Sequence, residues 1–132
     1  MPRIELVAMA REDGSVNAHL EAWLRVRTTG SEEVECLVDT GFDGSLLLPR
    51  SEAARLKLTV LGRVPIIGVG RARSIADIAE LEIEWLDQRR VVEVIISDGD
   101  DSLLGTGILD GSRLLIDYIG YTITVDDESS LL

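Results

Sequence analysis

An aspartate followed by Thr-Gly stands directly behind the apolar run Cys36-Leu37-Val38, and the chain turns apolar again at Leu46-Leu47-Leu48-Pro49. An acid at the end of a buried strand loses hydration, a cost that is tolerated where a site uses the charge. Read alone, Asp39-Thr40-Gly41 is equally a turn in which Gly41 supplies a positive φ. The sharper reading is acid–base chemistry. Two carboxylates held at ~4 Å in an effective dielectric of ~20 repel by about 4 kcal/mol, roughly three pKa units. Such a pair keeps one proton between its members. The ionised member can take a proton from water while the protonated member polarises a carbonyl, which is the chemistry of amide hydrolysis. The chain has one Asp-Thr-Gly, so the second carboxylate has to come from another copy across a two-fold axis.

The elements that would position this segment are short strands. Residues 4–9 read as a terminal strand. Val16, Ala18, Leu20, Ala22, Leu24 and Val26 alternate with other residues over one long half-buried strand, and 34–38 returns antiparallel to it. Residues 45–48 form the next strand, ended by Pro49, which cannot donate to a ladder. Residues 51–56 suit a short helix with Ser51 as N-cap. Further strands are expected at 59–67, 74–85 and 91–96, with Gly68-Val69-Gly70 as a loop tip and Leu86-Asp87-Gln88 as a turn. Residues 103–109 are apolar and punctuated by glycine. A last hairpin joins 114–116 to 122–125 near Gly120, and the acidic tail 126–132 is expected to be flexible. Gly105-Thr106-Gly107 echoes Asp39-Thr40-Gly41 without the acid. Eight or nine short strands with one or two helical turns predict an all-β barrel or sandwich, a single domain over 1–132 with its core at about 16–125.

Composition narrows the function. Apolar residues make up 45% of the 132 and aromatics 4%, so the core is built from Leu, Ile and Val, a mixture that favours strands. Thirteen basic against 24 acidic side chains give a net charge of −11, which repels phosphate backbones and anionic lipid and argues against nucleic-acid or membrane partners. No run approaches the ~20 apolar residues of a membrane helix, and the first residues do not read as a signal peptide. One cysteine, Cys36, excludes an internal disulfide and reads as a small buried hydrophobe; a cytoplasmic location is expected. His19 lies on the polar side of its strand. Zinc would want clustered Cys or His, and a phosphate loop would want glycines with a lysine. Neither pattern is present, and no cofactor is expected.

The segment Leu37-Val38-Asp39-Thr40-Gly41-Phe42-Asp43-Gly44-Ser45-Leu46-Leu47-Leu48-Pro49 resembles the active-site segment of retropepsin-like aspartic peptidases, especially the small prokaryotic members. Leu103 to Leu109 resembles the family's hydrophobic-hydrophobic-glycine segment before its C-terminal helix. Ile66-Ile67-Gly68-Val69-Gly70 is similar to the flap tip. The resemblance implies a closed, mostly antiparallel barrel of the acid-protease type with a short C-terminal helix, working as a homodimeric endopeptidase on extended peptide. Asp39, Thr40 and Gly41 would be catalytic, with the Thr40 hydroxyls bonded across the axis. Phe42, Asp43, Ile67, Gly68, Val69, Gly70, Leu103 and Leu104 would line the substrate groove. The acidic loop Asp98, Asp100 and Asp101 would border that groove if it is more than a solvated turn. Viral members carry an arginine after the second glycine that pairs with the acid at the position of Asp43. Here that position is Thr106. The rival expectation is a non-catalytic peptide-binding or dimerisation module on the same fold, and a weaker one is a plain structural β-domain.

Overall fold

Alternation between apolar and polar residues governs which strands form and which way they face. The structure, a computed structural model, describes residues 3–7, 21–67, 73–119 and 121–127. It is mostly β, with strands β1 (Arg3–Val7), β2 (Trp23–Thr28), β3 (Glu33–Val38), β4 (Leu46–Pro49), β5 (Gly62–Ile67), β6 (Arg73–Trp85), β7 (Gln88–Ser97), β8 (Leu103–Leu104), β9 (Ser112–Asp117) and β10 (Thr122–Asp127). Two short helices interrupt them, α1 (Arg50–Arg55) and α2 (Thr106–Leu109). The expected mostly antiparallel β fold with a short late helix is present, sorted into two sheets. Seven strands run in the order β2-β3-β8-β4-β7-β6-β5, with a further β2–β6 pairing, and three run in the order β1-β10-β9.

The long hairpin β6–β7 shows how pattern becomes packing. Leu81, Ile83 and Trp85 face inward while Glu80, Glu82 and Glu84 face water. Its two-residue turn puts both Leu86 and Asp87 at positive φ, 51° and 66°. Tight hairpins demand that geometry at both central positions, and Leu86 offsets its strain by packing against the core. The core joins Leu24, Val26, Val34, Cys36, Val94 and Leu104 from four strands. Cys36 is fully buried, as its apolar setting implied, and burial pushes its thiol up to about 12.

Boundaries differ from the sequence reading in several places: Pro49, expected to end a strand at 48, is the last residue of β4, Gln88 opens β7 rather than lying in the turn, and β9 begins at Ser112 rather than at 114. Helix α1 starts at Arg50 behind Pro49, which carries no side-chain cap bond; proline's fixed φ suits helix entry, so Ser51 is not needed as N-cap. β5 starts at Gly62 rather than at 59, leaving Val60 and Leu61 exposed. β10 continues through Asp126 and Asp127, where a flexible acidic tail was expected. Asp126 is only 4% exposed and meets Arg113 at 2.8 Å. Residues 16–20 of the long expected strand, with His19, lie outside the described residues, as do 128–132.

Candidate active site

Strand β8 is two residues long, yet it is the wedge on which the Asp39 loop hangs. It lies parallel to β3, with Leu37 opposite Leu103 and Val38 opposite Leu104, and antiparallel to β4, with Leu46 opposite Leu104. Leu104 is therefore flanked by the residues at the two ends of the 39–45 loop. The Asp39 N–H donates to the Leu104 carbonyl at 2.9 Å, and the Gly105 N–H donates to the Ser45 carbonyl at 3.0 Å. A loop pinned at both mouths by one strand keeps its acid at a defined place.

Inside the loop, the Gly41 N–H donates to Asp39 Oδ1 at 2.9 Å, and the Phe42 N–H donates to the Asp39 carbonyl at 3.1 Å. The carboxylate is half-buried, while Thr40 and Gly41 are exposed beside it. Any side chain at 41 would begin 3.2 Å from Asp39 Oδ1, so the close turn over the carboxylate favours glycine. The second glycine segment docks on the first. The Thr106 N–H and hydroxyl both donate to the Phe42 carbonyl, at 2.9 and 3.3 Å, and the Gly107 N–H donates to the Gly44 carbonyl at 3.0 Å. The weak echo between the two Thr-Gly motifs thus corresponds to two segments in direct contact. A Cβ at Gly105 would fall 2.3 Å from the Gly44 oxygen and 2.5 Å from the Phe42 oxygen, which explains why this position has no side chain.

Behind the docked segment stands a residue the sequence reading missed. Arg90 of β7 donates to the carbonyls of Gly107 (2.8 Å) and Ile108 (2.9 Å), satisfying oxygens in the four-residue helix α2. Nothing around Arg90 in the sequence distinguishes it from its neighbour Arg89; only the tertiary approach of β7 to α2 reveals it. Beside the loop lies a cleft of about 490 Å³ lined by Asp43, Thr106, Gly107, Leu109 and Asp110. Asp43 is exposed there, and the position where an arginine would have met it is taken by the Thr106 hydroxyl bonded to backbone.

The remaining expected site residues divide. Leu103 is half-buried between Leu37 and Leu47, whereas Leu104, expected on the groove, is fully buried; its backbone, not its side chain, reaches Asp39. Its alternation with Leu103 on a strand inserted between β3 and β4 forces it into the core. Ile67 is 70% exposed at the end of β5. Gly68, Val69 and Gly70 lie outside the described residues. The acidic loop is set elsewhere. Asp98 pairs with Arg50 at 3.2 Å, and Asp100 lines a different groove with Trp23, Glu33 and Glu35. Among the described residues no group of His, Cys, Asp and Glu is arranged to hold a metal ion, and no helix is long and apolar enough to cross a membrane.

No family model matches the sequence, nor does any curated protein match it significantly. Solved structures do. A retropepsin-like aspartic protease from Rickettsia conorii superposes with a TM-score of 0.63 at 17% identity, over 95% of this chain and 92% of that one. The EIAV protease, in complex with an inhibitor, superposes with a TM-score of 0.58 at 21% identity, over 73% of this chain and 91% of that one. At such identities the likeness speaks for architecture, and on that architecture the wedge of β8 between β3 and β4, with Asp39 at its tip, leads to one conclusion: the chain has a retropepsin-like fold.

Proposed function

We propose that the chain is a homodimeric aspartic endopeptidase in which Asp39 from each of two copies meets at a two-fold axis. The observation that carries this reading is the placement of Asp39, whose loop is pinned by Leu104 and Gly105 at both ends and whose Oδ1 accepts the Gly41 N–H. One Asp39 carboxylate is ionised and takes a proton from a water held between the pair. The water oxygen adds to the scissile carbonyl carbon while the protonated partner donates toward the carbonyl oxygen. Return of a proton to the amide nitrogen then lets the C–N bond break. Thr40 of each copy braces the loops across the axis, and Gly41 admits the substrate backbone. Phe42, Asp43, Leu103 and Ile67 border an extended peptide. The solitary buried thiol suits a reducing compartment, and we place the protein in the cytoplasm.

Cleavage of a mixed peptide library by the protein and by Asp39→Asn tests the proposal. The wild type should cut, with a specific rate that rises with protein concentration as dimers form, and the variant should lose at least about 10³-fold, as expected when a base within a coupled pair is removed. Equal cleavage by both proteins would refute the mechanism. Binding of peptide without cleavage by either would favour the non-catalytic module.

A further inference from the structure

A cation from the large sheet reaches the support of the Asp39 loop from behind. On β7 the inward positions Val92, Val94 and Ile96 are buried, and Arg90 stands in phase with them, opposite the fully buried Ile83 of β6. A guanidinium on the inward side of a sheet loses hydration, and it is held there only where fixed acceptors replace the water. The acceptors are the carbonyls of Gly107 and Ile108, 2.8 Å from Nη2 and 2.9 Å from Nη1. Two consecutive carbonyls face the same fork because α2 stops too soon to use them. The chain leaves helical geometry at Asp110, with φ −55° and ψ 130°, so the next turn, whose N–H groups would return to 107 and 108, does not form. Arg90 takes the place of that turn.

On its other side the same segment meets the Asp39 loop. The Thr106 N–H donates to the Phe42 carbonyl and the Gly107 N–H to the Gly44 carbonyl. A Cβ at Gly107 would lie 2.9 Å from the Gly44 carbonyl carbon, the Gly44 oxygen and Ser45 Oγ alike. Gly107 is thus bound in two directions, its N–H to the loop and its carbonyl to Arg90. A second tie from the β6–β7 hairpin lies just beyond, where the Trp85 Nε1–H donates to Ser112 Oγ at 3.3 Å and fixes the course of the chain after α2. We infer that Arg90 is a positioning residue for the Asp39 carboxylate, acting through Gly107 and the docked glycine segment; the inference rests on the peptidase reading above. The fork is the essential feature. Two N–H groups in fixed geometry set the direction as well as the distance of both carbonyls, which the single ammonium of lysine does not do. The cleft beside Asp43 is lined by other residues, so Arg90 acts on the rate of reaction and not on the grip on peptide.

Steady-state cleavage, measured at protein concentrations where the specific rate no longer rises, tests this role. Arg90→Lys and Arg90→Met should each lower kcat at least about tenfold, a part of the 100-fold order that a misplacement near 1 Å costs, while KM stays within about twofold. Val26→Ala, which opens a cavity in the buried face of β2, is the control for lost stability. It should lower the denaturation midpoint at least as far as Arg90→Lys does and leave kcat near that of the wild type. Amide hydrogen exchange gives a reading independent of turnover. Protection at Thr106 and Gly107 should fall in Arg90→Lys, while that of Val94 in β7 is retained. In a wild type that cuts peptide, a kcat loss in Arg90→Lys no greater than in Val26→Ala, a loss confined to KM, or unchanged protection at Thr106 and Gly107 would overturn the positioning role and leave the catalytic proposal standing. A wild type that cleaves no peptide would overturn both.

Discussion

Gly105→Ala puts the docking of the two glycine segments to a quantitative test. The added Cβ would lie 2.3 Å from the Gly44 oxygen, 2.5 Å from the Phe42 oxygen and 2.6 Å from Phe42 Cδ2, and real Cβ atoms essentially never approach a heavy atom closer than 3.0 Å. Two of those three atoms are backbone, so no rotamer change relieves the clash. Either the 39–45 loop or the 104–107 segment must retreat by at least the 0.7 Å that separates 2.3 from 3.0 Å. That retreat strains the Gly105–Ser45, Thr106–Phe42 and Gly107–Gly44 bonds together. Overpacking of this kind costs about 1–3 kcal/mol, readable as a lowered denaturation midpoint at unchanged slope. Because a misplacement near 1 Å at a reacting group costs on the order of 100-fold, peptide cleavage should fall by that order even at temperatures where the variant is fully folded. A Gly105→Ala protein that loses less than about 0.5 kcal/mol and keeps cleavage within threefold would show that β8 does not hold the Asp39 loop as described.

Three further outcomes are expected. Arg90→Met keeps the stem of the side chain but leaves two α2 carbonyls without their charged donor, and should cost about 1.5–3 kcal/mol by chemical denaturation. Arg50→Met removes the bond that, together with Arg63, holds the Asp77 carboxyl below the ordinary carboxylate range. A depressed carboxylate stabilises the fold at pH values above its unfolded pKa and loses that contribution as pH falls through its folded pKa. The melting-temperature gap between wild type and Arg50→Met should therefore be widest near neutrality and should close as pH drops below about 3.8. Cys36, buried and pushed up to about 12, should resist a thiol reagent at pH 8 in native protein and react within seconds in denaturant. Rapid native labelling would contradict its place in the core.

Much of this architecture could be read from residue order because it rests on local signals. Strict alternation marks β3 and the inward face of β6, and Asp39 stands out as an acid between apolar runs. What could not be read is whatever depends on approach through space. Nothing local tells Leu103 from Leu104, and only insertion between β3 and β4 buries one and spares the other. Arg90 looks like any strand arginine until α2 is brought beside it. The fate of Asp126 likewise depended on Arg113, thirteen positions earlier. Ser51 was a reasonable N-cap by type, but the fixed φ of Pro49 moved the helix start back by one residue.

The two-residue length of β8 bears on how the molecule matures. The Thr106–Phe42 bond spans 64 positions, and the bonds inside each segment, such as those of Gly41 and Phe42 to Asp39, do nothing to bring the two segments together beforehand. Contacts so distant along a chain form late and slowly. During synthesis the Asp39 loop would stay slack until residue 107 had emerged, with most of the large sheet already folded around the gap. An unfinished chain would thus carry the acid without the geometry to use it, and the hydrolytic potential proposed here would switch on only as the last strands locked into place.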